Sequence, residues 1–204
     1  MKIVCIGRNY VAHAHELNND VPGEPVFFMK PDTSLLRYNK PFNLPEWSHE
    51  IHHEIELVIR ISKHVKKVPA NLADNYFEEI GLGIDFTARD LQNQLKSNGL
   101  PWEKAKAFDH AAVVGAEFIS KKRFNNLSNI SFHLDINGIR IQSGNSGLMI
   151  FHFCDIISYI SNYITLKKGD LIYTGTPAGV GPVSAGDHLE GYLEDSKLLD
   201  FMIK

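Results

Sequence analysis

The chain has 204 residues, 44% of them hydrophobic and 22% charged, with a formal net charge of −3. That length buries a substantial core in an ordinary globular protein. With no basic excess, a nucleic-acid or anionic-membrane partner has no support from charge. Two cysteines, Cys5 and Cys154, lie far apart in apolar surroundings, which fits buried thiols in a reducing, cytoplasmic compartment. The apolar run before Arg8 is only four residues long, too short for a signal-peptide core, and the apolar stretch at 148–160 is broken by His152 and Asp155. With no repeat, linker or low-complexity tract, one domain over 1–204 is expected.

In chain order, residues 2–6 read as a strand, 10–18 (YVAHAHELN) as a short helix, and VFFMK, bounded by prolines, as a second strand. HEIELVIRI (53–61) has the clearest period of two: Ile55, Leu57, Ile59 and Ile61 share one face, and Glu54, Glu56, Val58 and Arg60 the other. Residues 70–79 read as an amphipathic helix, IGLGIDF as a buried strand, and ARDLQNQLKSNG as a helix stopped by Gly99. SFHLDINGIRIQ is a hairpin around Asn137-Gly138, a dipeptide that tolerates a type I′ turn. A helix over 148–161 follows, then short strands around the loop GTPAGVGP (175–182). Many short strands with few helices give an α+β, predominantly β domain and argue against βαβ alternation. Neither GxGxxG nor GxxxxGK[ST] occurs, so a nucleotide cofactor has no support.

Glu54 and Glu56 project from the same side of a strand, with Cα atoms roughly 6.5–7 Å apart. Two carboxylates so placed either face solvent or share a cation. Asp85 closes an apolar run just before a helix, where it is either a cap or a third ligand, and Thr87 is equally well placed to cap. Three carboxylates without thiolate or obligatory imidazole make an oxygen-only site for one divalent cation, Mg²⁺ or Mn²⁺, with Ca²⁺ also compatible. Three protein ligands on an octahedral ion leave positions for water and substrate. His13 and Glu16, at i and i+3, form either a surface pair or an oriented general base. Arg89 and Gln92 follow Asp85 along one side of a helix start, and arginine is a natural fork for a substrate carboxylate. Lys106, near Trp102 and Phe108, is either solvated or held close to the metal, where it would stabilise an enolate. Thr176 offers a hydroxyl and nearby backbone N–H groups to an anion. His52 and His53, flanking the glutamates, read as supporting residues.

GRNYVAHAHEL, EPVFFMKP, HHEIELVIRI, GIDFTARDLQ, PWEKAKAFD, NGIRIQSGNSGLMIF and GDLIYTGTPAGVGP occur in that order across residues 7–182. Taken together, they resemble the fumarylacetoacetate hydrolase family, in particular its short branch of acylpyruvases and oxaloacetate decarboxylases. The resemblance implies a mixed β-sheet roll with peripheral short helices, usually a homodimer, acting on small 2-oxo or diketo acids. It implies Glu54, Glu56 and Asp85 as metal ligands, His13 and Glu16 as a pair on a lid segment, Lys106 as the active-site lysine, and Arg89, Gln92 and Thr176 as substrate contacts. Ala107 departs from the Gly common after that lysine, and SGNSGLMIF departs from the commoner pattern there. The chemistry implied is metal-assisted cleavage of an acylpyruvate, with His13 activating water, or loss of the distal carboxylate of oxaloacetate. 2-Hydroxydienoate isomerisation or hydration and oxaloacetate tautomerisation are alternatives on the same triad; a non-catalytic metabolite-binding protein is a more remote one.

Overall fold

The structure, a computed structural model, describes residues 1–204. The chain opens with β1 (Ile3–Gly7), α1 (Val11–Glu16), β2 (Val26–Lys30) and β3 (Leu35–Leu36), then enters β4 (Ile51–His53) and β5 (Ile55–Ile61). α2 (Ala70–Ala73), β6 (Phe77–Asp85), β7 (Thr87–Ala88), α3 (Arg89–Ser97) and α4 (Glu103–Lys106) follow. The second half contains β8 (Ala112–Val114), β9 (Ile119–Ser120), β10 (Ser131–Ile136), β11 (Ile139–Asn145), α5 (Phe153–Tyr163), β12 (Leu171–Tyr173), β13 (Gly181–Pro182), β14 (His188–Leu193) and β15 (Ser196–Met202).

Three sheets result. The largest runs β2-β1-β12-β5-β6-β8-β3, with β9 also on β6; β11-β10-β14-β15 and β13-β4-β7 form the others. β1 pairs with β12, and β3 with β8, in parallel, while the remaining ladders are antiparallel, so the roll is mixed. The two faces read from HEIELVIRI are real but both are buried. Ile55, Leu57, Ile59 and Ile61 enter a core of 38 residues, whereas Val58 packs with Ile3, Cys5 and Tyr173 in a cluster of 7 on the opposite face. The main core therefore lies between the large sheet and the rest of the roll. No helix is long and apolar enough to cross a membrane.

Several elements differ from their sequence-based expectation. The helix expected over 10–18 spans only Val11–Glu16. The helix expected over 70–79 ends at Ala73; a 3₁₀ turn follows, and residues from Phe77 join β6, because pairing with β5 and burial of Phe77 outweigh local helical periodicity. The helix expected over 148–161 begins at Phe153 instead. His152 is its N-cap, with Asp155 completing a capping box, and Ser146–Leu148 form a separate 3₁₀ turn closed by Asn145. The hairpin matches expectation: Asn137 (φ 53°) and Gly138 (φ 77°) both occupy the left-handed region that a type I′ turn requires. Cys5 is buried, Cys154 half-buried, and neither is bridged.

Candidate active site

The strand expected over 53–61 is broken at Glu54. β4 belongs to the three-stranded sheet and β5 to the large one, so Glu54 is the corner where the chain changes sheets. β6 and β7 make the same change one strand away, around Phe86, and the Asp85 N–H donates to the Glu54 carbonyl at 2.9 Å. Two coincident corners open a gap that no continuous ladder could contain. Glu54, Glu56 and Asp85 all turn into it with at most 5% exposure, so these glutamates lie on no solvent face. The three offer carboxylate oxygens within 4.8 Å of one another.

Cations hold this acidic cluster together. Lys106 Nζ lies 2.8 Å from Glu54 Oε2 and 3.0 Å from Asp85 Oδ2, and donates to Thr87 Oγ1 at 2.5 Å. Arg89 donates to Glu54 Oε1 at 2.5 Å and to Gln92 Oε1 at 2.5 Å, while its Nε approaches His52 Nδ1 at 3.3 Å. Lys30, fully buried at the end of β2, places Nζ 2.6 Å from Asp85 Oδ1 and donates to the carbonyls of Phe86, Ala111 and Lys106. Burial raises the cost of charge on Glu54, yet Lys106, Arg89 and His13 hold its carboxyl far below the usual range. Burial also works against the Lys106 ammonium, but Asp85 and Glu54 raise its pKa above the ordinary value. Glu56 goes the other way: burial first, then Asp85 and Glu54, push it well above 4.5, opposed by a 2.6 Å hydrogen bond from the Gly175 N–H.

The loop at 175–182 is tied to this group. Gly175 has φ +100°, and a Cβ there would meet Asn9 Cβ at 2.6 Å, so the N–H reaches Glu56 only because the residue is glycine. Gln142 is buried between the loop and the corner: its Oε1 accepts from the Ile55 N–H at 3.1 Å and lies 2.8 Å from His53 Nδ1, and its Nε2 donates to Thr176 Oγ1 and the Pro177 carbonyl at 3.0 Å each. Burial pulls His53 below its ordinary imidazole pKa. His13, 5% exposed, pairs through Nδ1 with Glu16 Oε2 at 3.2 Å, and Glu16 Oε1 accepts from the Gly179 N–H at 2.9 Å. Glu16 itself is exposed, but the pair fastens α1 to the 175–182 loop and leaves the imidazole buried in the cavity.

His13, Glu54, Glu56, Asp85, Arg89, Gln92, Lys106 and Thr176 line one cavity, so the structure brings together every residue expected at the site except Glu16, which orients His13 from behind. Thr87 does not cap α3, whose N-cap is Ala88 without a side-chain bond; its hydroxyl donates to Glu54 instead. The sequence pointed to Thr87 only as a cap and gave no role to Lys30, Gln142, Arg8 or Lys96. Lys30 is the only one with a local signal, a lysine ending an apolar strand just before proline. Ala107 has φ −111°, so no glycine is needed after Lys106.

The donor set fits a hard divalent cation. Glu54 Oε1, Glu54 Oε2 and Asp85 Oδ2 hold only cations or a hydroxyl that an ion could displace, and the buried Asp85 Oδ1, although close to Lys30, has no aligned hydrogen-bond donor. A second group, His188, Glu190 and Asp200, is partly exposed and already matched by Lys197, 3.0 Å from Glu190 and 2.6 Å from Asp200.

A mixed roll carrying a buried carboxylate triad at a double sheet corner defines the class, and the chain belongs to the fumarylacetoacetate hydrolase family: the family's C-terminal domain model matches residues 2–200. It is 39% identical over 202 residues to a mitochondrial oxaloacetate tautomerase of Homo sapiens, covering 99% of this chain and 91% of that protein. It is 43% identical over 186 residues to a mitochondrial oxaloacetate decarboxylase of Dictyostelium discoideum, covering 91% and 85%. Its structure matches that of fumarylpyruvate hydrolase from Pseudomonas aeruginosa in complex with Mn²⁺ and pyruvate with a TM-score of 0.93, 32% identity and coverage of 100% and 89%.

Proposed function

We propose that the protein is a divalent-metal-dependent enzyme that cleaves the bond beyond C3 of small 2-oxo acids, as a hydrolase of acylpyruvates, a decarboxylase of oxaloacetate, or both. Glu54, Glu56 and Asp85 would hold Mg²⁺ or Mn²⁺, and the ion would supply Lewis-acid stabilisation of the enolate charge that develops at C2. Arg89 and Gln92 present donors to the substrate carboxylate, and Thr176 adds a hydroxyl in the same cavity. Lys106 keeps its proton and lends positive charge beside the developing enolate. His13, held by Glu16, takes a proton from water as that water adds to the distal carbonyl; the acyl–C3 bond then breaks, and C3 is protonated to give pyruvate. Loss of a distal carboxylate leaves the same enolate without water.

The observation that carries this reading is the buried His13, held by the exposed Glu16, lining the same cavity as the carboxylate triad. The names of the mammalian relatives favour a second reading, oxaloacetate tautomerisation, which needs proton transfer at C3 but no bond cleavage. Pyruvate release from acetylpyruvate and oxaloacetate, and enol–keto exchange of oxaloacetate, should be measured on metal-stripped protein with and without Mg²⁺ or Mn²⁺. Metal-dependent pyruvate release that falls about 100-fold or more in His13→Ala, with ion affinity retained, supports hydrolysis. Metal-dependent exchange without pyruvate release moves the assignment to tautomerase, and inactivity in all three assays refutes the proposal.

A further inference from the structure

Two basic residues of the cavity have no role so far. Lys96 follows Arg89 and Gln92 at i+7 and i+4 on α3, so one helix face carries all three into the cavity. Arg8 reaches it from the turn between β1 and α1. The triad carboxylates form the closed floor, whereas Arg8 is half-buried and Lys96 exposed, so this pair sits at the rim.

Neither rim cation has an acidic partner. Of the carboxylates below, Glu54 and Asp85 are matched by Lys30, Arg89 and Lys106, Glu56 accepts from the Gly175 N–H, and the nearest polar partner of Lys96 is the Asn19 side-chain oxygen at 3.1 Å. Burial, followed by repulsion from Arg8 and Arg89, pulls Lys96 below its ordinary pKa, as expected of cations converging without an anion. The turn holding Arg8 is built rather than loose. Its backbone sits at φ 59°, and the adjacent Asn9 side chain bonds Phe151 twice and the Thr174 carbonyl once. A divalent ion on the floor would add further positive charge, so a monoanionic substrate would leave the rim uncompensated.

We infer that Arg8 and Lys96 form a carboxylate clamp that selects 2-oxo acids carrying a second carboxylate at the far end. The inference rests on the proposed function for the direction in which substrate lies, with its 2-oxo head on the floor. Guanidinium and ammonium together can fork a distal carboxylate that a neutral acyl group lacks.

Malate and lactate share a 2-hydroxy acid head and differ in the distal carboxylate, so calorimetric titration of the Mg²⁺-loaded protein with each isolates the clamp. Wild type should bind malate about tenfold or more tightly than lactate, a gap that narrows with added salt. In Arg8→Gln/Lys96→Gln the ratio should fall to within about threefold, and Lys96→Glu, at an exposed position, should lower it alone. A ratio unchanged in these variants, or no malate preference in wild type, overturns the clamp. Malate preference lost in the variants of a protein that turns over no 2-oxo acid would refute the proposed function and leave the clamp standing. Turnover with an oxaloacetate-to-acetylpyruvate ratio of kcat/KM unaltered in the double variant would do the reverse.

Discussion

Replacing Lys30 by methionine removes a buried ammonium while conserving most of the side chain's length and apolar stem. In the wild type this group lies 2.6 Å from Asp85 Oδ1 and donates to three backbone carbonyls, with no exposure to water. Breaking a buried pair from one side costs about 3–5 kcal/mol, because the remaining charge is stranded rather than because the pair itself was strong. Asp85 keeps Lys106 at 3.0 Å on its other oxygen, so the lower end, about 3 kcal/mol, is expected. For a chain of this size that corresponds to a fall in Tm of about 6–12 °C. Urea unfolding of metal-stripped Lys30→Met, Asp85→Asn and the double variant would measure it as a cycle. The double variant should cost less than the sum of the singles, since no unpaired charge remains. A single-variant cost below about 1 kcal/mol, or additivity within about 0.5 kcal/mol, would refute the argument that Lys30 serves to balance Asp85.

Addition of Mg²⁺ or Mn²⁺ at about 100 times the dissociation constant should stabilise the wild type by about 2.7 kcal/mol in thermal melts, and this gain should vanish in Asp85→Asn. Gly175→Ala should destabilise by roughly 2–4 kcal/mol in urea, because the new Cβ meets Asn9 at 2.6 Å at a φ of +100° that alanine resists. The same variant should weaken ion binding, since the N–H that holds Glu56 moves; unchanged stability and affinity would show the loop to be compliant. Asp170 provides a pH test away from the site. Burial raises its pKa, but the Lys2 side chain and the backbone N–H groups of Lys2 and Lys167 outweigh this and hold it below 3.8. A depressed folded-state pKa contributes stability above the unfolded value, which is lost as pH falls through the folded one. Asp170→Asn should therefore cost about 2 kcal/mol at neutral pH and progressively less below pH 3.8; a pH-independent difference would contradict the assignment.

How legible the molecule was depended on the range of the interaction involved. The β5 alternation and the Asn137-Gly138 turn were readable because both depend on neighbours within a few residues. The helix expected over 70–79 failed where a short periodic segment met a strand partner distant in sequence. At the site, the carboxylates, His13 and Lys106 stood out as chemistry-bearing residues at suggestive spacings. Lys30, Thr87 and Gln142 did not, since a buried lysine or glutamine is recognisable only by what surrounds it.

The sequence by itself determined the β-rich character, the family and the identities of the groups that could carry enolate chemistry. It left open whether Glu54 and Glu56 faced water and whether His13 met them. The tertiary structure decided both, because β4–β5 and β6–β7 change sheets at adjacent points, and only there do side chains from five distant segments converge. Coulomb and hydrogen-bond energies depend on separation in space. Residues as far apart as Lys30, Glu54, Asp85, Lys106 and Gln142 therefore became one electrostatic unit only when the roll closed.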